Sequence, residues 1–344
     1  MTRFKRIATE EAWTTPDILD RYRKLLATQP QSWDPGFHSL WGFWLGASER
    51  ARALQSRLQD LGERRLRDMD ASGIDVQLLM LTAPGVQVFD APTAASLCVE
   101  TNDRLAAAVR ENPARYAGMA AIAPQDPAGA ARELERAVGT LGLKGAVINS
   151  HTRGEYLDDP KFWEIFEAAE SLNVPIYIHP QAPPPAMIGP YVERGLEGAL
   201  WGFGAETGLH VLAIIRSGAL DRFPRLRLVV GHLGEALPFW LYRLDYMNKT
   251  ARPGIRTGAT ALARPISDYM KENVYITTSG MAWAPAITFV QSVIGVDRVM
   301  YAMDYPYQFE LYEVDATDDM AIGDDEKKRL FQTNAEAVFS LTPG

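Results

Sequence analysis

The chain has 344 residues, of which 47% are apolar and 23% charged, and it carries a net charge of −8. This composition is typical of a globular enzyme with a large core, and the acidic balance argues against nucleic-acid binding. No apolar run approaches the roughly 18 residues of a membrane-spanning helix, and the start MTRFKR is not followed by the apolar core of a signal peptide. We therefore expect no membrane contact. Because the single cysteine, Cys98, cannot form an internal disulfide, we also expect a cytoplasmic protein.

Short apolar runs, each followed by a polar or turn-rich stretch, recur along the chain. In order they are RIATEEAW (6–13), IDVQLLMLTAPG (74–85), YAGMAAIAPQDP (116–127), KGAVINSHT (144–152), VPIYIHPQAPPP (174–185), LRLVVGHLGE (226–235), NVYITTSGMAW (273–283) and RVMYAMDYPY (298–307). Segments with helical spacing lie between them. Alternation of short buried strands with amphipathic helices is typical of βα units. We therefore predict an α/β fold in which residues 1–344 form a single (β/α)8 TIM-type barrel domain, with a doubly wound open sheet as the alternative.

Two segments interrupt this alternation, residues 31–49 and residues 180–206. Both are long and rich in aromatic residues, proline and glycine. Loops of this length in a compact domain are usually functional. We predict that both segments are lids over the mouth of the barrel.

Polar side chains stand at or just past the carboxyl ends of the apolar runs. They are Glu10, Asn149, His151, His179, His232, Ser279 and Asp304. In a parallel barrel these ends converge on one face, where active sites are built. The pattern therefore predicts one polar site at the mouth.

Glu10, His179 and Asp304 are the predicted metal ligands. Two carboxylates and one imidazole suit a divalent ion such as Zn²⁺, Mn²⁺ or Fe²⁺. Glu10 lies in the first run and Asp304 in the last, so the two become neighbours only if the barrel closes. Taken alone, His179 would more often be a core or capping residue, and Glu10 or Asp304 a structural ion-pair member. Their joint placement is what favours a metal site.

The remaining histidines have open or structural roles. His232 could be a fourth ligand, a proton shuttle or a hydrogen-bond partner of the substrate. His151 and Asn149 would line the mouth or simply form its polar rim, and the role of His38, in the first predicted lid, stays open. His210, in the helical pattern GLHVLAII, is expected to pack against the barrel.

Two absences limit the number of metal ions. Ala12 stands where a second histidine ligand would complete an acid-X-His triplet with Glu10, and Lys144 precedes the fourth apolar run instead of ending it. A carbamylated lysine bridging two metals is therefore not available at that strand end. One metal ion is favoured over two.

The motifs IATEEAW, GLKGAVINSHT, VPIYIHP, VVGHLGEALPFWLYRLDYM and VMYAMDYPY together resemble the amidohydrolase superfamily, in particular its aromatic acid decarboxylase branch. The resemblance extends over nearly the whole chain, including SLWGFW, SERA and NAEAVF. It implies a distorted, amidohydrolase-like (β/α)8 barrel with one divalent metal, Mn²⁺ with Zn²⁺ as the alternative, bound by Glu10, His179 and Asp304. The departure at Ala12 is typical of carboxyvanillate-type members and argues against strict γ-resorcylate specificity.

The activity that the resemblance implies is non-oxidative decarboxylation of an ortho-hydroxybenzoate, with 5-carboxyvanillate converted to vanillate and CO2. Another hydroxybenzoate is the alternative substrate. In this hypothesis the phenolate and carboxylate oxygens of the substrate chelate the metal. Asp304 protonates the ring carbon, and His232 relays a proton or binds the phenolic oxygen. There are two competing hypotheses. The first is a metal-dependent hydrolase of a lactone or amide, and the second is a non-catalytic barrel that binds an aromatic acid.

The predicted substrate-binding residues are Arg50, Arg243, Trp13, Trp201 and Phe203. Arg50 could pair with a carboxylate in the bidentate geometry that arginine favours, although a solvated helix surface explains it equally well. The three aromatic residues could line an apolar pocket that binds the ring, or they could pack in the core. Arg243 lies 11 residues past His232 along a helix, on the order of 15 Å from its own strand end. It could therefore reach a neighbouring pocket, and a homodimer or homotetramer is expected.

Overall fold

The structure is a computed structural model that describes residues 4–250 and 261–341. All of its strands lie within the predicted apolar runs. They are β1 (Ile7–Trp13), β2 (Val76–Leu81), β3 (Tyr116–Gly118), β4 (Ala120–Ala121), β5 (Ala146–Asn149), β6 (Ile176–His179), β7 (Leu228–Val230), β8 (Val274–Thr277) and β9 (Val299–Met300). Because β3 and β4 are two parts of one run, interrupted at Met119, the eight runs form eight barrel strands.

The strands close into a barrel. They pair in parallel as β1-β2-β3 and as β4-β5-β6-β7-β8-β9. The amide of Met119 donates to the Leu79 carbonyl at 2.8 Å, which links β2 to the second sheet. The amide of Thr9 donates to the Tyr301 carbonyl at 3.0 Å, which joins the first strand to the last. The (β/α)8 prediction is confirmed, and the open-sheet alternative is excluded.

The helices surround the strands. They are α1 (Pro16–Thr28), α2 (Pro35–Trp44), α3 (Glu49–Gln59), α4 (Glu63–Ser72), α5 (Ala91–Glu111), α6 (Pro127–Gly139), α7 (Trp163–Leu172), α8 (Gly189–Val192), α9 (Gly202–Ser217), α10 (Ala219–Arg222), α11 (His232–Glu235), α12 (Leu237–Thr250), α13 (Ile266–Glu272), α14 (Ala284–Ile294), α15 (Leu311–Asp318), α16 (Asp324–Lys328) and α17 (Asn334–Phe339). A 3₁₀ turn (Pro160–Phe162) and a π-helical turn (Arg329–Thr333) complete the set. No helix in the described ranges has both the length and the apolarity to cross a membrane.

Local sequence explains where several of these helices begin. Thr15, Asp34, Asp90 and Asp126 each accept a backbone N–H of the first helical turn, and each is followed by a proline within two residues. A side-chain acceptor at the N-cap satisfies an amide that the helix cannot, and proline fits the first helical position. The Asp34–Pro35 pair begins α2 within the first predicted lid.

Successive side chains of each strand point to opposite faces, so the strands contribute to two hydrophobic clusters. Ile7, Leu78, Val147, Tyr177 and Val229 belong to the cluster that fills the barrel interior, which also includes Val338 and Phe339 of α17. Their neighbours in sequence pack between strands and helices in a second, larger cluster. A third cluster joins α1, α2 and α5 to the loop after β2. The filled interior leaves the carboxyl ends of the strands as the place for a site.

The two predicted lid segments meet each other. Ser39 Oγ donates to Glu197 Oε1 at 2.6 Å, and a Cβ at Gly36 would lie 2.4 Å from the Cβ of Ala182. Both segments contain helix, since α2 and α8 lie within them and α9 begins at Gly202. That they act as lids stays a prediction.

Candidate active site

Glu10 lies at the centre of a buried polar cluster at the carboxyl ends of the strands. Its Oε1 is 3.4 Å from His179 Nε2 and 3.8 Å from His232 Nε2. Among the described residues this oxygen has no hydrogen-bond partner, and neither does His179 Nδ1. A buried carboxylate oxygen without a donor is costly unless a cation or another ligand satisfies it.

The other oxygen of Glu10 is held firmly. Glu10 Oε2 accepts hydrogen bonds from the Tyr177 hydroxyl and, at 3.1 Å, from Thr277 Oγ1. Tyr177 lies two residues before His179 on β6, so the two side chains project from the same face of the strand. A Cβ at Gly231 would lie 2.4 Å from Oε2. Glu10 is therefore fixed on one side and free to bind on the other.

His232 is presented by an unusual turn after β7. The φ angles of His232, Leu233, Gly234, Glu235 and Ala236 are 49, 56, 79, 52 and 63°. Left-handed conformations cost roughly 1–2 kcal/mol for each non-glycine residue, so the surrounding structure must hold this turn. In it, His232 Nδ1 donates to Glu235 Oε1 at 2.9 Å.

Charge on His232 and His179 differs. Burial lowers the pKa of the His232 imidazole, but the Glu235 and Glu10 carboxylates outweigh burial and raise that pKa to about 10. Burial lowers the pKa of His179, and Glu10 offsets this only in part. At neutral pH, His232 is therefore a cation, whereas His179 is neutral, the form in which histidine binds metals.

Asp304 follows β9 with a φ of 70°. Burial raises the pKa of its carboxyl, the His232 charge lowers it and the Glu10 charge raises it, with a net pKa of about 8. These interactions place Asp304 in the same electrostatic cluster as Glu10 and His232. A carboxyl with such a pKa can hold a proton near neutral pH.

Glu11 points away from this cluster. It is fully buried, and its two oxygens accept the backbone N–H groups of Met303 and Tyr305 at 3.0 and 3.2 Å. Burial raises the pKa of Glu11, while the Met303 amide and the Arg65 guanidinium lower it. The adjacent carboxylates Glu10 and Glu11 thus have different surroundings.

The chemistry of the cluster fits a divalent cation, although within residues 4–250 and 261–341 no three Asp, Glu, His or Cys side chains already form a ligand set. Glu10 Oε1 is unsatisfied, His179 is neutral and only 3.4 Å away, and Asp304 interacts electrostatically with Glu10 and His232. Carboxylates with one imidazole are donors for Mn²⁺ or Zn²⁺. The structure thus brings Glu10, His179 and His232 together and places Asp304 beside them.

Phe203 lines a cleft between the predicted lids, and Arg50 lies next to Trp44, another residue of its wall. The volume of the cleft is about 380 Å³, and its walls include Leu40, Phe43, Trp44 and Phe203. The Arg50 guanidinium lies 5.4 Å from the ring centre of Trp44. An apolar wall with a cation at its edge suits an aromatic acid.

The other three predicted substrate residues lie elsewhere. Trp13 is fully buried in the core between strands and helices, so packing accounts for its position. Trp201 is 60% exposed, and Arg243 is exposed on α12. The substrate roles of these three residues stay predictions.

His210 and His151 belong to a separate buried region. His210 packs in the interior as expected, with its Nε2 accepting the Leu157 amide at 3.0 Å and its Nδ1 lying 3.2 Å from Ser150 Oγ. His151 bonds to the Ala182 carbonyl at 3.1 Å. Burial lowers the pKa of His210 to about 3 and that of His151 to about 4. Both are therefore neutral at neutral pH. His151 also lines a cleft together with Gln87 and Gln181, and its role stays open.

Sequence reasoning missed Tyr177, Thr277, Glu235 and Glu11. Tyr177 and Thr277 lie within apolar runs, where such residues are usually core. Glu235 is three residues from His232, a spacing that indicates contact only once the backbone conformation is known. For Glu11, adjacency to Glu10 was the one available signal.

Comparisons with known proteins show which family the chain belongs to. A profile of the amidohydrolase family matches residues 34–341. The γ-resorcylate decarboxylase of Polaromonas sp. (strain JS666) is 36% identical over 296 residues, which are 84% of this chain and 90% of that protein.

Solved structures are similar over the whole fold. The 5-carboxyvanillate decarboxylase of Novosphingobium aromaticivorans, complexed with manganese and 4-hydroxy-3-methoxy-5-nitrobenzoic acid, is 50% identical with a TM-score of 0.96, covering 98% of this chain and 96% of that one. The enzyme of the same name from Sphingomonas paucimobilis is 42% identical with a TM-score of 0.94, covering 99% and 100%. The chain therefore belongs to the amidohydrolase family, in the branch of metal-dependent aromatic acid carboxy-lyases.

Proposed function

We propose that this chain is a metal-dependent, non-oxidative decarboxylase that converts 5-carboxyvanillate to vanillate and CO2. The observation that carries the proposal is the unsatisfied Oε1 of Glu10, 3.4 Å from the neutral His179 and beside the cationic His232. The relative that is 50% identical was solved with manganese and a nitro analogue of a hydroxy-methoxybenzoate, which supports both the metal and the substrate class.

Glu10, His179 and Asp304 would hold the metal, Mn²⁺ in preference to Zn²⁺. When bound, the ion supplies Lewis-acid chemistry toward a phenolate and the adjacent carboxylate of the substrate. Tyr177 and Thr277 orient Glu10 through its second oxygen. Such supporting hydrogen bonds typically matter 10- to 100-fold for metal affinity.

Asp304 is the proposed acid. Its proton is transferred to the ring carbon that bears the carboxylate, so that no free aryl anion has to form. The bond from the ring to the carboxylate carbon then breaks, its electron pair restores the aromatic ring, and CO2 leaves. Asp304 is left as a carboxylate and regains a proton from solvent. His232, held as a cation by Glu235, binds an anionic oxygen of the substrate during this step.

The cleft between the lids is the proposed entry for the aromatic ring. Phe203 and Trp44 form its apolar wall, and Arg50 beside Trp44 would pair with the second carboxylate of the substrate. Salt bridges of arginine with carboxylates are strongest when bidentate and shielded from water. Closure of the lids would provide that shielding.

A homo-oligomer, either a dimer or a tetramer, is the proposed assembly. Arg243 lies on α12 among exposed aromatic side chains, with Phe239 73%, Trp240 49% and Tyr242 86% exposed. Exposed aromatic patches of this kind mark protein interfaces. Association through this face would bring Arg243 to the pocket of a neighbouring copy.

The test is turnover of 5-carboxyvanillate, followed by ultraviolet absorbance and CO2 release, with metal-stripped protein reconstituted with Mn²⁺ or Zn²⁺. We expect conversion to vanillate only after metal is restored. The stripped protein and the Glu10→Gln variant are the matched controls. No conversion by protein that has bound metal would contradict the substrate assignment. Release of hydrolysis products from a lactone, without CO2, would instead support a hydrolase.

A further inference from the structure

We infer that Glu11 is a positioning residue for Asp304, because its carboxylate holds the backbone amides on both sides of that aspartate. The inference rests on the proposed function only for the role that it gives Asp304. It assigns separate tasks to the two adjacent carboxylates of β1. Glu10 projects into the barrel, and Glu11 supports the backbone that carries Asp304.

The contacts are direct. Glu11 Oε1 accepts the amide of Met303 at 3.0 Å, and Glu11 Oε2 accepts the amide of Tyr305 at 3.2 Å. The amide of Ala12 also donates to the Tyr305 carbonyl at 2.7 Å. Three hydrogen bonds therefore tie residues 303–305 to β1, and two of them depend on one side chain.

Asp304 needs such support. Its φ of 70° is a left-handed conformation, which costs free energy in a residue with a Cβ even though aspartate tolerates it better than most. Glu11 holds the peptide plane that follows Asp304 through the Tyr305 amide, and the plane between residues 302 and 303 through the Met303 amide. The backbone is therefore anchored on both sides of Asp304. The direction of its side chain is thereby set by Glu11, about 290 residues earlier in the chain.

A buried cation lies behind Glu11. Arg65 is fully buried, donates to the carbonyl of Ala12 at 2.7 Å and to Gln77 Oε1 at 3.1 Å, and lies 4.6 Å from the ring centre of Tyr305. Gln77 Nε2 in turn donates to Glu11 Oε2 at 3.4 Å. The group thus joins β1, β2, α4 and the loop after β9 around the Glu11 carboxylate.

Glu11→Gln is the test. Glutamine offers one acceptor oxygen and turns an NH2 group toward the other amide, so one of the two loop amides loses its partner. We expect the exchange of the Met303 and Tyr305 amides to become at least about 10-fold faster, as expected when local opening becomes easier. Mn²⁺ affinity, measured by electron paramagnetic resonance of the free ion, should weaken about 10- to 100-fold, and kcat should fall more than KM changes.

Asn334→Ala is the matched control. Asn334 Nδ2 donates to the carbonyls of Val296 and Val299, both at 2.8 Å, around the amino-terminal end of β9. This variant also loses two buried side-chain bonds to the backbone near the same strand, so its Tm should fall. Because the bonds lie away from the mouth, Mn²⁺ affinity and amide exchange at 303–305 should not change.

Several results would overturn the inference. A folded Glu11→Gln variant with wild-type amide exchange at 303–305 would do so, and so would equal effects of Glu11→Gln and Asn334→Ala on Mn²⁺ affinity. If the variant does not fold, the wild-type protein decides, since fast exchange of both amides in the native state contradicts the role. Exchange needs neither substrate nor metal, so failure of the decarboxylase proposal would be recognised separately.

Discussion

Glu235 gives His232 its charge. The imidazole is buried, which alone would favour its neutral form, yet the 2.9 Å hydrogen bond to Glu235 and the nearby Glu10 raise its pKa to about 10. His232 is therefore positively charged over the whole physiological range. A cation at this position can hold an anionic substrate oxygen.

Glu235→Gln should move the pH profile of kcat/KM. Loss of the carboxylate lowers the pKa of His232, so the imidazole loses its proton at a lower pH. The alkaline limb of the activity profile should therefore move to lower pH. A histidine whose pKa is raised on folding stabilises the fold fully below its unfolded pKa of about 6.5, and this contribution is lost as the pH rises through the folded value. The decrease in the free energy of unfolding of the variant should therefore be largest at acidic and neutral pH.

The measurement is kcat/KM from pH 6 to pH 10, together with urea unfolding at both ends of this range. Glu63→Gln is the control, because Glu63 on α4 is exposed and pairs with the exposed Arg67. An alkaline limb that stays at the wild-type pH in Glu235→Gln would show that His232 does not need Glu235 to keep its charge.

Sequence identified the residues at strand ends more readily than those that support them. Glu10, His179, His232 and Asp304 stand out because polar residues that follow apolar runs gather at one face of a parallel barrel. Tyr177 lies inside such a run, and in sequence it cannot be told from a core residue. Its bond to Glu10 became visible only when the register of β1 and β6 around the barrel was known.

The left-handed turn after β7 is the element that places His232 and Glu235 together. Gly231 and Gly234 make it possible, since a Cβ at Gly231 would lie 2.4 Å from Glu10 Oε2 and one at Gly234 would lie 2.8 Å from the side chain of Ile276. The pattern VVGHLGE predicted the strand and its end, but HLGEA contains no sequence signal for five consecutive left-handed residues. Tertiary contacts, and not local propensity, determine this turn.

Gly231→Ala should therefore impair metal binding. The new methyl group displaces Oε2 of Glu10 from Tyr177 and Thr277 and so rotates Oε1 away from His179. We expect Mn²⁺ affinity to fall at least about 10-fold, with a lower Tm. The measurements are Mn²⁺ titration and thermal unfolding.

Gly139→Ala in α6 provides the comparison, since a Cβ there meets nothing within 4 Å. It should leave Mn²⁺ affinity unchanged. It should also raise the free energy of unfolding by about 0.4–1 kcal/mol, because alanine reduces the conformational entropy of the unfolded chain. Wild-type Mn²⁺ affinity in Gly231→Ala would mean that Glu10 does not need its present support.

At the scale of the whole molecule, the barrel was predictable and its assembly less so. Eight runs alternating with helical segments define βα units, and right-handed parallel connections leave few other arrangements. The exposure of Phe239 and Tyr242 was not predictable, because the aromatic residues of FWLYRLDYM could equally have formed the buried stripe of a helix. In the structure, α12 instead presents them to solvent.

Replacement of Phe239 and Tyr242 by serine should convert the proposed oligomer to monomers. Both side chains are more than 70% exposed in the single chain, so their loss should leave the fold intact while it removes apolar contact area. Sedimentation velocity measures the change. Leu311→Ser with Tyr312→Ser on α15 is the control, since these residues are also exposed but lie on another element.

Complementation tests whether Arg243 serves a neighbouring pocket. Arg243→Ala and Glu10→Gln should each be nearly inactive alone. In a mixed dimer, the subunit with intact Glu10 would receive Arg243 from the other subunit, so one pocket is complete. Random mixing of two such subunits in a two-fold symmetric dimer should restore about a quarter of the wild-type activity. If Arg243 acted within its own chain, every pocket in the mixture would lack one group, and activity would stay at the level of the separate variants.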